Sequence, residues 1–200
     1  GATNASIGVH VAKQDSVPMI LFVGQVSVDS IGRDAFQEID IPAMFRPIAK
    51  WAVQIDDAAR LPELLSRAFK VATSGRPGPV VISLPEDVQR VLVEAPEVVP
   101  NIPMRPSPAP AQIDQLGGLL AKAKQPLILL GSSTWSQEAS DQIADFAKRH
   151  DIPMVASFRC QDKIDNDHGN YVGILGVGTP SIISDLIVGS DLMIVLSVEL

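Results

Sequence analysis

Three short phrases place polar side chains where the chain must turn: Gly24-Gln25-Val26, Asp34-Ala35-Phe36-Gln37-Glu38 and Gly75-Arg76-Pro77-Gly78-Pro79. Gln25 follows the apolar run Met19 to Val23, and a primary amide both donates and accepts, so at a strand end it can satisfy a loop backbone or face a ligand. Asn4 has the same capacity near the start of a helix, where capping is its ordinary use. Phe36 and Gln37 pair an aromatic, ordinarily a core residue, with an amide, ordinarily solvated. Arg76 carries a forked, permanently charged donor whose ordinary use is an ion pair, on a turn whose Gly and Pro follow from turn chemistry alone.

Other chemistries find little support. The single Cys160 rules out an internal disulfide and fits a reducing, cytoplasmic setting. His10, His150 and His168 form no Cys/His pair at zinc-ligand spacing, and Asp165-Asn166-Asp167 lacks the Gly and terminal Glu of a calcium loop, so no metal site is assigned. A net charge of -7 without a basic cluster argues against nucleic acid. The apolar runs are strand-sized, too short for a membrane helix.

Those residues need a scaffold, and the chain alternates helices with apolar strands. Residues 3–13 read as a helix capped by Thr3 or Asn4, and residues 19–23 as a buried strand. Leu61, Leu64, Leu65, Ala68, Phe69 and Ala72 recur at helical spacing up to a left-handed stop at Gly75. Val80-Val81-Ile82-Ser83-Leu84 reads as a strand buried on both faces, as in a parallel sheet. Six of the seventeen residues from Glu94 to Pro110 are proline, which marks a linker over residues 94–110. Beyond it, helices at 111–124, 136–150 and 180–188 alternate with strands at 127–130, 153–157 and 192–196, and residues 161–179 read as irregular. The fold class is α/β, parts of two doubly wound parallel-sheet domains. A start at Gly1-Ala2-Thr3-Asn4, with sheets that look incomplete, leads us to expect an internal fragment of a longer enzyme.

Taken in order, the opening Gly-Ala-Thr-Asn, the three phrases above and Leu84-Pro85 make the chain resemble the thiamine diphosphate enzymes of the acetolactate synthase (acetohydroxyacid synthase) group over nearly its whole length. The resemblance implies that residues 1–93 are the later part of a pyrimidine-binding domain and residues 111–200 the start of a central Rossmann-like domain. It implies a 2-oxo acid carboligase or decarboxylase acting on pyruvate, with acyl transfer to a second carbonyl, in a homodimer or homotetramer. The cofactor carries the hard chemistry. The Glu that activates it would lie upstream of Gly1 and the Mg-binding motif far downstream, so this chain alone should be inactive. Asn4 and Gln25 would approach the cofactor, Phe36 would wall the substrate side against water, and Gln37 would reach the reacting carbonyl. Arg76 matches an Arg that helps bind flavin dinucleotide (FAD) in flavin-containing members.

Two departures bear on this expectation. Glu86 stands where these synthases usually place Lys, which disfavours an anionic 2-oxo acid and keeps open a benzoylformate or oxalyl-CoA decarboxylase or a glyoxylate carboligase. Leu196-Ser197-Val198-Glu199 replaces a Leu-Gly-Ala-Arg that faces the dinucleotide, which argues against FAD. Gly131-Ser132-Ser133 and Gly173-Ile174-Leu175-Gly176-Val177-Gly178 could still cradle a nucleotide, the mark of a noncatalytic nucleotide-binding or interface module, or be ordinary loops.

Overall fold

The computed structural model describes residues 1–94, 102, 107–131 and 135–197. The chain divides into two compact units, Gly1–Arg105 and Pro106–Leu200. No described helix is long and apolar enough to cross a membrane.

In the first unit, helix α1 (Ala2–Gln14), strand β1 (Met19–Gln25), short helix α2 (Ile41–Phe45), strand β2 (Trp51–Gln54), helix α3 (Leu61–Thr73) and strand β3 (Pro79–Pro85) follow in order. The three strands are parallel in the order β1-β3-β2. The central place of β3 explains its apolar run Val80–Ile82, because alternate side chains enter opposite cores. Val80 and Ile82 pack with Leu64, Ala68 and Ala72 of α3, while Val81 packs with Val9 of α1 and Ile41 and Phe45 of α2. Helices therefore cover both faces of the sheet.

Local chemistry sets the ends of these elements. Gly1, not Thr3 or Asn4, is the N-cap of α1; the helix starts one residue earlier than expected, which puts both cap-type residues inside the first turn. α3 ends at Thr73 and Gly75 follows at φ +53°, a conformation that costs glycine little. Phe69 departs from the expected core face and is 55% exposed. β2 is a four-residue strand whose mixed sequence, Trp51-Ala52-Val53-Gln54, gives almost no period to read.

The second unit contains α4 (Pro110–Leu120), β4 (Pro126–Leu130), α5 (Gln137–His150), β5 (Met154–Ala156), β6 (Tyr171–Ile174), α6 (Ser181–Gly189) and β7 (Leu192–Leu196). Its parallel sheet has the order β6-β5-β4-β7. Ile128, Leu130 and Met154 pack toward Ala147 of α5, and Leu127, Leu129 and Val155 pack toward Ile183 of α6. Ser136 caps α5 by accepting from the Ala139 amide at 3.2 Å. β6 falls inside the stretch read as irregular; it is short, meets β5 with a register shift at Met154/Val155 and contains Gly173 at φ +128°. Ser132, Ser133, Val198, Glu199 and linker prolines 96, 100, 103 and 106 lie outside the described residues.

Candidate functional site

Ligands of open parallel α/β sheets bind beyond the carboxyl ends of the strands, because the loops that follow the strands gather there. In the first unit that edge is formed by Gln25, Gln54 and Ser83–Pro85. Three side chains join across it. Gln25 Nε2 donates to Gln54 Oε1 at 3.4 Å, and the fully buried Ser83 donates from Oγ to the same oxygen at 3.2 Å. Gln54 in turn donates from Nε2 to Asp56 at 2.8 Å. Gln25, also buried, accepts from the Val26 amide at 3.0 Å and donates to the Ile39 carbonyl at 2.7 Å. One amide thus starts and closes the loop between β1 and α2.

That loop is held at several further points. The Val28 amide donates to both carboxylate oxygens of Asp87, at 3.1 and 3.2 Å, which ties it to the turn after β3. Glu38 accepts from the Gly32 amide at 2.5 Å and the Ala35 amide at 3.1 Å. Those two bonds, the Gly32 one first, hold its carboxyl below the usual range, so it stays an anion and an acceptor. Asp40 closes the loop by capping α2 through the Ala43 amide at 2.8 Å. Between these anchors Phe36 is 88% exposed, and Gln37 is exposed with its backbone at φ +64°.

Asn4 reaches the same edge by another route. α1 returns through a short turn to the start of β1, so its amino end lies at the carboxyl edge of the sheet. The Asn4 side chain is exposed and makes no capping hydrogen bond. Glu86 is also here: its amide donates to the Gln25 carbonyl at 3.1 Å, and its carboxylate lies 3.6 Å from the Arg90 guanidinium. The edge therefore combines the exposed aromatic Phe36, the exposed amides of Asn4 and Gln37, and carboxylates that include Glu86 and Asp56. Such groups have the chemistry to bind, orient and shield a ligand.

Arg76 lies elsewhere, at the amino end of the strands. Its Nε donates to Ser16 Oγ at 2.8 Å, and a terminal nitrogen donates to the carbonyls of Lys13 and Gln14 at 3.2 and 3.0 Å. A cation on the last carbonyls of α1 complements the helix dipole. Lys50 holds the same turn from the other side through the carbonyls of Ser74 and Arg76, at 2.5 and 2.7 Å, and partial burial lowers its pKa. The length of β1 separates Arg76 from Gln25 by roughly 20 Å.

The remaining candidates have local roles. His10 pairs with Gln14, His150 stacks at a tilt on Phe146, and the His168 amide donates to the Asp165 carbonyl. Cys160 is buried and free. Among the described residues no group of three or more His, Cys, Asp or Glu side chains could hold a metal ion. In the second unit Thr179 Oγ1 closes the glycine loop by bonding both the amide and the carbonyl of Gly176 at 2.7 Å.

Gln54, Ser83, Asp87 and Glu38 were not singled out from the sequence. For Glu38 a signal was present, a carboxylate six residues after Gly32 in a segment without apolar periodicity.

Comparison with known proteins places this edge in context. The family described as thiamine pyrophosphate enzyme, N-terminal TPP binding domain, matches residues 1–44, and thiamine pyrophosphate enzyme, central domain, matches residues 113–200. An acetolactate synthase of Arthrospira platensis is 36% identical over 88% of the chain and 32% of its own length. An acetolactate synthase large subunit of Parasynechococcus marenigrum is 35% identical over 97% of the chain and 32% of its own length. The X-ray structure of a candidate thiamin diphosphate-dependent enzyme from Mycobacterium smegmatis superimposes on all of the chain and 38% of its own, with a TM-score of 0.83 at 26% identity. The chain spans about a third of the length of the curated relatives it matches.

Proposed function

The chain belongs to the thiamine pyrophosphate enzymes, and from that premise we propose that it supplies the pyrimidine side and substrate wall of a thiamine diphosphate-dependent 2-oxo acid carboligase or decarboxylase of the acetolactate synthase type. Residues 1–93 are the later part of its pyrimidine-binding domain, 94–110 the linker and 111–200 the start of its central domain. The observation that supports this most is the pinned loop at the carboxyl edge of the first sheet, where Phe36 and Gln37 stand exposed on the edge to which the amino end of α1 also returns.

The residues present fit one side of the cofactor. Asn4 offers an uncommitted amide to donate to and accept from a ring, and buried Gln25 fixes the loop that approaches it. When bound, thiamine diphosphate supplies a nucleophilic carbon and an electron sink for loss of carbon dioxide from a 2-oxo acid. Phe36 excludes water from the reacting carbonyl, and Gln37 donates a hydrogen bond to its oxygen. Mg and the diphosphate are held by residues beyond this chain. FAD fits poorly: Arg76 is engaged with the end of α1, and Ser197 rather than Gly holds the left-handed position after β7, at φ +57°. The full-length protein works as a cytoplasmic homodimer or homotetramer.

Glu86 supports a second reading, in which the substrate is an aryl or acyl-CoA 2-oxo acid or glyoxylate. It stands where the acetolactate synthases usually place Lys, so the site lacks that cation, and Arg90 offsets the Glu86 charge only in part. Turnover of pyruvate, benzoylformate, oxalyl-CoA and glyoxylate by the full-length protein with thiamine diphosphate and Mg decides between them. Preference for pyruvate supports the first reading, and preference for another donor supports the second.

A further inference from the structure

We propose that Glu38 is a positioning residue: its carboxylate, bonded to the amides of Gly32 and Ala35, fixes the loop that presents Phe36 and Gln37. The inference rests on the substrate-side reading of that pair. Two features of the loop make an anchor necessary. First, Gly32, Asp34 and Gln37 all have positive φ, at +80°, +57° and +64°, a backbone conformation that disfavours side chains such as that of Gln37. Second, Phe36 is 88% exposed, so no core packing holds the segment in place.

The bonds within reach share the load unequally. The Glu38 amide closes a turn on the Ala35 carbonyl at 3.0 Å, and the Arg33 amide reaches the Ser30 carbonyl at a long 3.3 Å. Neither spans the whole loop. The Glu38 side chain bonds across it on both sides of Arg33-Asp34, through a charged acceptor, the stronger kind of hydrogen bond. Gln25, by contrast, grips only the two ends, at the Val26 amide and the Ile39 carbonyl. Removing the Glu38 carboxylate frees the segment that carries Phe36 and Gln37 while leaving both ends tied.

Exposed Arg33 lies inside the clamp and provides a trypsin site. The test uses the full-length protein, as wild type, Glu38→Ala and Glu38→Gln, with thermal melting to confirm folding. Cleavage after Arg33 without cofactor should quicken about tenfold in Glu38→Ala and less in Glu38→Gln, whose amide oxygen keeps one acceptor. In the holoenzyme, kcat/KM for the 2-oxo acid should fall at least tenfold in Glu38→Ala with the thiamine diphosphate Kd unchanged, and Glu38→Gln should recover part of it. Unchanged cleavage after Arg33 overturns the proposal, as does faster cleavage with unchanged kcat/KM. Failure of wild type to turn over any 2-oxo acid sinks the functional reading separately, while faster cleavage in Glu38→Ala still supports Glu38 as the loop's anchor.

Discussion

Gln25 at the end of β1 donates from Nε2 to the carbonyl of Ile39, 14 residues further along, at 2.7 Å. Because the same side chain also accepts from the Val26 amide, both ends of the loop depend on one buried group. Gln25→Ala should therefore cost about 1–3 kcal/mol, the usual penalty for orphaning buried partners. Urea unfolding of the protein measures it, and Gln25→Glu should not restore the loss, since a carboxylate cannot donate to Ile39.

Arg76→Ala should lower stability by about 1 kcal/mol, because it strips the last carbonyls of α1 of a charged donor. Arg76→Lys should recover only part, since an ammonium cannot reach Ser16 and two carbonyls as a fork does. Calorimetric melting of the three proteins checks this, and an unchanged Tm in Arg76→Ala would mean the guanidinium is idle at that helix end.

Ser197 follows β7 at φ +57°, where a side chain is unfavourable and glycine is not. Ser197→Gly should raise stability by about 0.5–1 kcal/mol, read as a higher urea midpoint at unchanged slope.

Asp191 joins two connections of the second unit by accepting from the amides of Lys124 and Gln125, at 2.7 and 2.9 Å. Those bonds, Lys124 first, lower its carboxyl pKa below the ordinary value of 3.8. A depressed folded pKa contributes stability that is fully present above the unfolded pKa and lost as pH falls through the folded one. Stability measured from pH 6 down to pH 2 should therefore fall less steeply in Asp191→Asn than in wild type.

Strong periodicity made much of the fold legible. The β-branched run at Val80–Ile82 and the 3–4 spacing of Leu61, Leu64, Leu65, Ala68 and Ala72 each pointed to an element that forms, since burial on a sheet or one helix face demands those patterns. β2 and β6, four residues each, escaped notice because two alternations carry no period. Thr3 and Asn4 looked like caps because their side chains suit that position, yet the cap is set by where the helix backbone starts. At the candidate site, residue types announced Gln25, Phe36 and Gln37, but the hydrogen bonds that hold them are long-range. Ser83 reads as part of an apolar strand, and its link to Gln54 exists only after β2 and β3 pair.

In the proposed function this chain contributes one wall of a thiamine diphosphate site acting on a 2-oxo acid. The most direct measurement is carbon dioxide release by the full-length protein with Mg and each of the four 2-oxo acids, as thiamine diphosphate is titrated in. No release is expected without the cofactor, and a saturable rise with it for at least one substrate, falling at least tenfold in Gln37→Ala. Release that ignores the cofactor, or none from any of the four at saturating cofactor, contradicts it.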